Sequence, residues 1–490
     1  MSRLPDHTIA AAGAAALVTL ALLVVLTGCR ALGPDYKRPD LTPPLEFRAA
    51  PAESANVSPS NHLGELVWRQ VLGDPRLQAY IDEALTNSWD IKIAAARVLQ
   101  AEAAARVTRS RFFPTIGAGG DWNTVRASEK GVSPVPAGVD PEQDYSSVYA
   151  AMASYEVDLW GRVRRANEAS MAQLLATAHA QRTVRQTLVA EVATAYLTLL
   201  ELDYELDIAQ RTLGVRTNSL NLTTFREEGG VASKQDVYQA QVLVATAEAA
   251  IADTHRRIEQ KENELCILLG RNPGALARGE GFMGQHLELL VPVGLPSDLI
   301  ERRPDIRSAE QLLVAANADI GKAKAAFFPS VSLTGVFGFQ SLEFSDLLSS
   351  SARTWQFGPS VTVPVFTGGA LRGNLNFAEA FFQESLAQYQ KTVQNSFREV
   401  SDSLISYQRS REFRTHQEAR TTANRNAAEM AGTRYEGGVT SYLEVLYNEQ
   451  ELFTAELGLA QARLKELLSV VALYRSLGGG WQNETALVQK

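Results

Sequence analysis

The side chains that could do chemistry are few and scattered. Six histidines, His7, His62, His179, His255, His286 and His416, fall far apart along the chain, and the two cysteines are Cys29 and Cys266. No HExxH or HxH pair and no cysteine cluster offers a metal ion the close ligands it needs. Neither a GxxxxGK[ST] phosphate loop nor a GxSxG nucleophile elbow occurs, so nothing points to nucleotide hydrolysis or acyl transfer, and no cofactor is implied. What remains is a nucleophilic thiol, Cys29, directly after an apolar run, and two Ser-x-x-acid sequences that each follow a Gly-Gly pair. These are Gly229-Gly230-Val231-Ala232-Ser233-Lys234-Gln235-Asp236 and Gly437-Gly438-Val439-Thr440-Ser441-Tyr442-Leu443-Glu444. The spacing suits a capping box, in which the serine and the acid satisfy each other's backbone N–H groups at a helix start. The same carboxylates could instead present charge to a passing ion, and the two roles can coexist.

The thiol at Cys29 has a distinct setting. Arg3 is followed by an apolar run from about Ile9 to Leu26 and then by Leu26-Thr27-Gly28-Cys29, which reads as a secretory signal peptide over residues 1–28, although the run is also long enough for an uncleaved membrane anchor. Leu-Thr-Gly-Cys resembles the bacterial lipobox, whose cysteine receives lipid and becomes the first mature residue. Arg30 follows where inner-membrane retention would place Asp, so the resemblance implies sorting to the outer membrane. Cys266 lies in an apolar helical stretch and reads as a small core residue. One lipidated and one solitary cysteine make no internal disulfide. The formal net charge of -8 is unchanged by removing residues 1–28, which hold one Arg and one Asp, and nothing in it suggests nucleic acid.

The elements that position these residues come in two copies. Residues 84–114 align without a gap onto 299–329, matching Asp90-Ile91 with Asp305-Ile306 and Phe112-Phe113-Pro114 with Phe327-Phe328-Pro329. Arg226-Glu227-Glu228-Gly229-Gly230-Val231 likewise matches Arg434-Tyr435-Glu436-Gly437-Gly438-Val439. Each copy reads as a helix, two strands, a very long helix, a Gly-Gly turn and another helix. A Pro/Gly-rich loop near residues 126–144 is longer than its counterpart near 340–353. The expected divisions are a signal peptide at 1–28, an extended lipidated segment with a short helix at 29–83, repeats at 84–290 and 291–476, and a tail at 477–490.

After each Phe-Phe-Pro the pattern alternates by two. Tyr149, Ala151, Ala153, Tyr155, Val157 and Leu159 are expected on one face, with Ser154, Glu156 and Asp158 on the other. The second copy sets Val331, Leu333, Phe337 and Phe339 against Ser330, Ser332 and Thr334. From about Arg162 to Phe225 and from about Leu371 to Tyr435 there is no proline, and the period becomes helical. Leu188, Val192, Ala195, Leu199, Leu202, Leu206, Ala209 and Leu213 form a coiled-coil seam, and Val237, Val244, Ile251, Ile258 and Leu265 recur every seven residues. Helices of roughly 65 residues would run about 100 Å, beyond any globular domain. The alternation suits an ordinary soluble sheet as well as a membrane one; in lipid, four half-wet strands cannot close on themselves, and closure would need other subunits. Trp122, Tyr145, Trp160, Phe344, Trp355 and Phe366 would suit aromatic girdles at the membrane surfaces.

A family resemblance narrows these options. Gly33-Pro34-Asp35-Tyr36-Lys37-Arg38-Pro39, Trp68 with Gly73-Asp74-Pro75-Arg76-Leu77, Leu269-Gly270-Arg271-Asn272-Pro273, and the stretch from Gly294 to Ile306 with Glu301-Arg302-Arg303-Pro304-Asp305 look like the TolC-like outer-membrane factors that serve RND pumps. The resemblance covers Cys29 to about Leu477. It implies a mainly α fold with a transmembrane β-barrel: a homotrimer with one shared twelve-stranded barrel and a coiled-coil helical tunnel in the periplasm. The implied role is a passive exit duct for drugs or small solutes, working with a periplasmic adaptor and an inner-membrane RND-type pump. A type I protein secretion duct and a periplasmic coiled-coil scaffold are the rival readings. In the family the hairpins after the long helices are the periplasmic tips, where the adaptor docks and the tunnel narrows. This assigns docking to Gly229, Gly230, Val231, Ser233, Gly437, Gly438, Val439 and Ser441, and the gate to Asp236, Leu443, Glu444 and Tyr447. One departure stands out: where relatives often carry Val-Leu-Asp-Ala, this chain has Val445-Leu446-Tyr447-Asn448, so Tyr447 replaces a gate carboxylate.

Overall fold

The computed structural model describes residues 31–41, 44, 47–48, 68–131, 135–136, 138–285, 287 and 296–479. Cys29 and its expected lipidation, with the expected signal peptide and the tail from residue 480, lie outside the described residues. The order is α1 (Trp68–Val71), α2 (Pro75–Asn87), α3 (Trp89–Ser110), β1 (Ile116–Arg126), β2 (Glu142–Val157), α4 (Arg162–Glu228), α5 (Lys234–Leu268), α6 (Pro296–Arg302), α7 (Pro304–Ala325), β3 (Ser330–Ser341), β4 (Arg353–Thr362), α8 (Ala370–Glu436) and α9 (Tyr442–Ser476). Among the described residues the protein is thus mostly helical with one small sheet. Helices α4 and α8 each have 67 residues, and α5 and α9 each have 35. By space the chain divides into one compact unit of Met1–Pro39 (of which 31–39 are described), Leu99–Ala176 and Glu310–Gln388, and a second of Asp40–Val98, Thr177–Ala309 and Tyr389–Lys490.

The first unit holds an antiparallel sheet in the order β1-β2-β3-β4. Residues directly opposite in such a sheet share a face, and the pairings separate an apolar band from a more polar face, with charged and polar residues (Arg126, Glu142, Asp144, Arg353) at one end of the apolar side. Ile116, Trp122, Val148, Ala150, Met152, Phe337, Phe339, Trp355, Phe357 and Val361 lie on one face. Asp121, Asn123, Ser147, Ser332, Thr334, Gln340, Gln356 and Ser360 lie on the other. The expected alternation in β2 fails at one point. Three steps along β2, from Met152 to Tyr155, match two along β3, from Gly335 to Leu333. This bulge moves Tyr155 and Val157 onto the apolar face and leaves Tyr149 and Ala151 on the polar one, because an extra residue reverses the parity of every side chain beyond it. Tyr145 also falls on the polar face, opposite Asn123, and so is not a girdle residue of the apolar side.

Strand β2 stops at Val157, short of the expected Asp158 and Leu159. The Asp158 carboxylate accepts the Val163 and Arg164 N–H groups at 3.0 and 2.9 Å and so caps the start of α4. Trp160 turns inward, donating from Nε1 to the Pro329 carbonyl at 2.7 Å, its ring 4.9 Å from that of Phe328. Below the sheet, α4 and α7 meet through Ala169, Ala172, Ala315 and Ala318, small side chains that let two helices approach closely.

The second unit contains the main apolar core. The α4 seam buries Leu188, Val192, Ala195, Leu199, Leu202 and Ala209, and α5 buries Ile258, Leu265 and Cys266 against it. Cys266 donates weakly to the Gly274 carbonyl at 3.3 Å. Several motif residues have plain structural tasks here. Asp74 caps α2 by accepting from Arg76 N–H at 2.7 Å, and its other oxygen accepts from the Tyr196 hydroxyl and Gln285 at 2.9 and 2.8 Å. Arg303 donates to the last turn of α9 at Ser476 O (3.0 Å), to Asp305 (2.7 Å) and to Glu399 (2.8 Å).

Candidate functional site: the two hairpin tips

Each long helix ends for the same local reason. At the end of α4, Val231 N–H donates to Arg226 O and Gly230 N–H to Glu227 O, both at 2.9 Å. At the end of α8, Val439 N–H donates to Arg434 O at 2.9 Å and Gly438 N–H to Tyr435 O at 3.0 Å. These are Schellman closures, which need a left-handed residue just past the helix. Gly230 and Gly438 supply it, at φ 75° and 73°. Gly229 and Gly437 do not have positive φ; each is the residue just past the helix and bonds back to it, to Phe225 O and Thr433 O. Helices α5 and α9 close in the same way on Gly270 and Gly478, at φ 75° and 80°, a signal present in the sequence as a Gly forty residues after each tip glycine.

The two helix restarts differ. At the first tip the capping box forms: Ser233 Oγ accepts the Asp236 N–H at 3.2 Å, and Asp236 Oδ2 accepts the Ser233 N–H at 3.1 Å. At the second tip it does not. Ser441 caps α9 with no side-chain hydrogen bond, and the Glu444 carboxylate instead accepts from the Thr440 hydroxyl and faces Arg434 Nε at 3.8 Å. The expected second capping box is therefore corrected to a Thr440–Glu444–Arg434 group, because the hydroxyl of Thr440 at this turn competes for the acid that Ser441 would have used.

The structure brings the two tips together through a residue that spacing alone did not single out. Arg226, on the last turn of α4, donates to Tyr435 O at 3.0 Å and to Glu436 O at 3.3 Å, and its guanidinium lies 4.4 Å from the Tyr435 ring centre. A cation is favoured there, since the last carbonyls of α8 carry the negative end of the helix dipole. Tyr435 and Tyr442 meet in a tilted ring contact, centroids 5.4 Å apart, beside Ala240, Ala431 and Val445. Beneath them Arg216, 1% exposed, donates to Leu243 O and Gln450 Oε1, both at 2.9 Å. Ser219 donates to Glu449 at 3.0 Å. Burial holds the Glu449 carboxyl and the Tyr442 hydroxyl above their ordinary pKa ranges and lowers that of Arg216.

Of the proposed gate residues, Leu443 and Tyr447 stand one turn apart on α9 and are 60% and 63% exposed, with Val231 and Val439 exposed at the turns. Glu444 lies beside Leu443 in the chain but bends back to Thr440. Asp236 lies on the other hairpin with its carboxylate engaged in the cap. Among the described residues no group of three or more His, Cys, Asp or Glu is placed to hold a metal ion.

Comparison with known proteins agrees with this architecture. The sequence model of the family described as "Outer membrane efflux protein" matches residues 80–271 and 295–479. The chain is 37% identical over 475 residues to the probable efflux pump outer membrane protein TtgC of Pseudomonas putida, covering 96% of each. It is 35% identical over 474 residues to outer membrane protein OprJ of Pseudomonas aeruginosa, covering 96% and 97%. Among solved structures, the outer-membrane channel OprN superposes with a TM-score of 0.84 at 31% identity, covering 92% of this chain and 99% of that one. The open-state MtrE outer membrane channel of Neisseria gonorrhoeae gives 0.83 at 30% identity, covering 93% and 100%. With both halves matched by the family's model and nearly its whole length shared with these relatives, the chain belongs to the outer membrane efflux protein family.

Proposed function

We propose that the protein is the outer-membrane exit duct of a tripartite efflux pump, a passive channel and not an enzyme, through which drugs or other small solutes leave the cell. The sheet carries this reading. Its apolar face is exposed, with Trp122 at 78%, Ile116 and Trp355 at 71% and Phe357 at 64%, and its other face carries Ser, Thr, Asn, Gln and Asp side chains together with Tyr145, Tyr149 and Val336. From Val331 to Phe339 the apolar run on β3 spans about 26 Å of strand, or about 20 Å along a membrane normal at the usual tilt of about 40°. That is close to the band of about 25 Å that lipid-facing barrels present. Among the described residues β1 and β4 each pair on one side alone, and an unpaired strand edge in lipid costs several kcal/mol for each exposed backbone group. Three copies joined edge to edge close a twelve-stranded barrel with the polar face inward.

In this assembly Cys29 carries the lipid anchor and the helices form the periplasmic tunnel. Leu443, Glu444 and Tyr447, with Asp236 on the adjacent hairpin, form the gate. The turns Gly229–Ser233 and Gly437–Ser441 meet a periplasmic adaptor coupled to an RND-type inner-membrane pump. Purified protein tests the reading in planar bilayers: stepwise conductance from a detergent-stable trimer is expected. A stable folded monomer by light scattering, or a trimer that passes no current, refutes it.

A further inference from the structure

The polar face of the sheet is nearly free of charge. Along the four strands it carries two charged side chains, Asp121 of β1 and Glu156 of β2, while Arg126, Glu142, Asp144 and Arg353 lie on the apolar side. Arg162 donates to Glu156 at 2.7 Å and neutralises it. Asp121 is exposed, and among the described residues no cation is paired with it. It is the sixth of the eleven residues of β1, so it stands halfway up the sheet, about 17 Å from either end of its strand.

Two aromatic rings flank this carboxylate. Asp121 is directly opposite Ser147, and Tyr145 and Tyr149 lie two residues to either side of Ser147 on the same face. Both tyrosines are therefore diagonal neighbours of Asp121, at about 7–8 Å, within reach of a long side chain. Glycines make room for Tyr149 on both adjacent strands. A β-carbon on Gly119, opposite it on β1, would come within 2.9 Å of the Tyr149 Cζ and hydroxyl, so the ring lies across the Gly119 backbone and leaves its other face open. A β-carbon on Gly338, opposite it on β3, would meet the Tyr149 Cα and Cβ at 2.8 Å.

A lone carboxylate between two tyrosine rings attracts organic cations. The carboxylate draws the ammonium charge, and the negative ring faces draw the ammonium and the groups it carries. We propose that Asp121 with Tyr145 and Tyr149 is a wall site for organic cations inside the barrel, taking a protonated or quaternary amine that also bears an aromatic or alkyl portion. The proposal rests on the duct reading above, which turns the polar face inward, and it names a class of solute that the duct favours. A twelve-stranded barrel tilted by about 40° has a radius of about 12 Å, which sets three copies of Asp121 about 20 Å apart. That exceeds the screening length of about 8 Å at physiological salt, so each subunit holds its own site. The lumen is wet, and removing the charge or the ring should weaken binding by about threefold to fivefold.

The test is saturation-transfer NMR on the full-chain trimer in a non-ionic detergent at low salt, titrated with benzyltrimethylammonium. Wild type is compared with Asp121→Asn, Tyr149→Leu, Tyr149→Phe and Glu444→Gln, and light scattering records the oligomeric state of each sample. Asp121→Asn and Tyr149→Leu are expected to weaken the apparent affinity at least threefold, and Tyr149→Phe and Glu444→Gln to leave it unchanged. A tyrosine that merely filled the wall over Gly119 would be replaced equally well by Leu or Phe. Trimers that show no saturable signal, or the same affinity in wild type as in Asp121→Asn or Tyr149→Leu, overturn the site. A loss in Glu444→Gln equal to that in Asp121→Asn moves the cation to the tips and overturns it as well. A wild-type monomer by light scattering overturns the duct reading itself, and the site with it.

Discussion

Replacing Glu201 with Gln should make the helical core less sensitive to alkali, and the size of the effect follows from where this side chain lies. Glu201 and Glu205 are one turn apart on α4 and are 2% and 3% exposed. Glu205 pairs with Arg257 of α5 at 2.6 Å and accepts from Gln461 of α9 at 3.2 Å, while Glu201 Oε1 has no hydrogen-bond partner. The nearby Asp203 and Glu262 are already held by Arg278. Burial first, then the charge of Glu205 and a hydrogen bond to it, push the Glu201 carboxyl up to about 8, against a smaller opposing pull from Arg257. Because the folded value lies above the ordinary one, the contribution of Glu201 to stability is complete at acid pH and is lost as pH rises towards 8. The loss is on the order of 1.4 kcal/mol for each pH unit over that range, since a tenfold fall in proton concentration costs one bound proton that free energy. A glutamine keeps the shape and a donor towards Glu205 but cannot ionise. The variant should therefore match wild type near pH 5 and exceed it by several kcal/mol near pH 8.5. For a chain of this size that is a rise of roughly 1 °C in apparent Tm per kcal/mol. Scanning calorimetry at one fixed scan rate and in one detergent, at the two pH values, measures it. A Tm difference between variant and wild type that is the same at both pH values would show that Glu201 is not held protonated by the fold.

Three other outcomes are expected. Gly230→Val and Gly438→Val have no neighbour within 4 Å of the added β-carbon, so their cost is backbone strain alone, roughly 1–3 kcal/mol each; efflux should fall while membrane insertion persists, and equal loss of both would show that these glycines serve folding only. Glu444→Gln removes the charge facing Arg434 but not the hydrogen bond from Thr440, so cation preference, read as reversal potential in bilayers, should fall modestly; selectivity unchanged in conducting channels would exclude Glu444 from the gate. Cys29→Ser should yield protein without the acyl mass that the wild-type N-terminus carries, with partial function retained through the barrel, whereas a wild-type N-terminus starting before residue 29 would end the lipoprotein reading.

Much of this protein is legible locally. The helices expected from about Arg162 to Phe225 and from about Leu371 to Tyr435 run Arg162–Glu228 and Ala370–Glu436, because heptad spacing without proline describes a helix whatever surrounds it. The Gly-Gly ends are equally local, since a Schellman closure involves six consecutive residues and one glycine at positive φ. Tertiary structure decided what depends on a partner distant in sequence. The reversal of β2 beyond Met152 comes from pairing with β3, and no pattern within β2 alone marks which residue is extra. The two Ser-x-x-acid sequences look equivalent, yet only Asp236 completes a capping box, because Glu444 has Thr440 and Arg434 within reach. Arg226 recurs in sequence as Arg434, but only Arg226 bonds the opposite tip, 209 residues away at Tyr435. The motif from Gly33 to Pro39 could mark kinship in the sequence, but that it lies against α7, at Gly321, Asn317 and Glu310, is decided only by the folded chain. Periodicity and φ preference are properties of neighbouring residues and can be read from a string; pairing, parity and the choice among competing hydrogen-bond partners arise only when segments hundreds of residues apart meet.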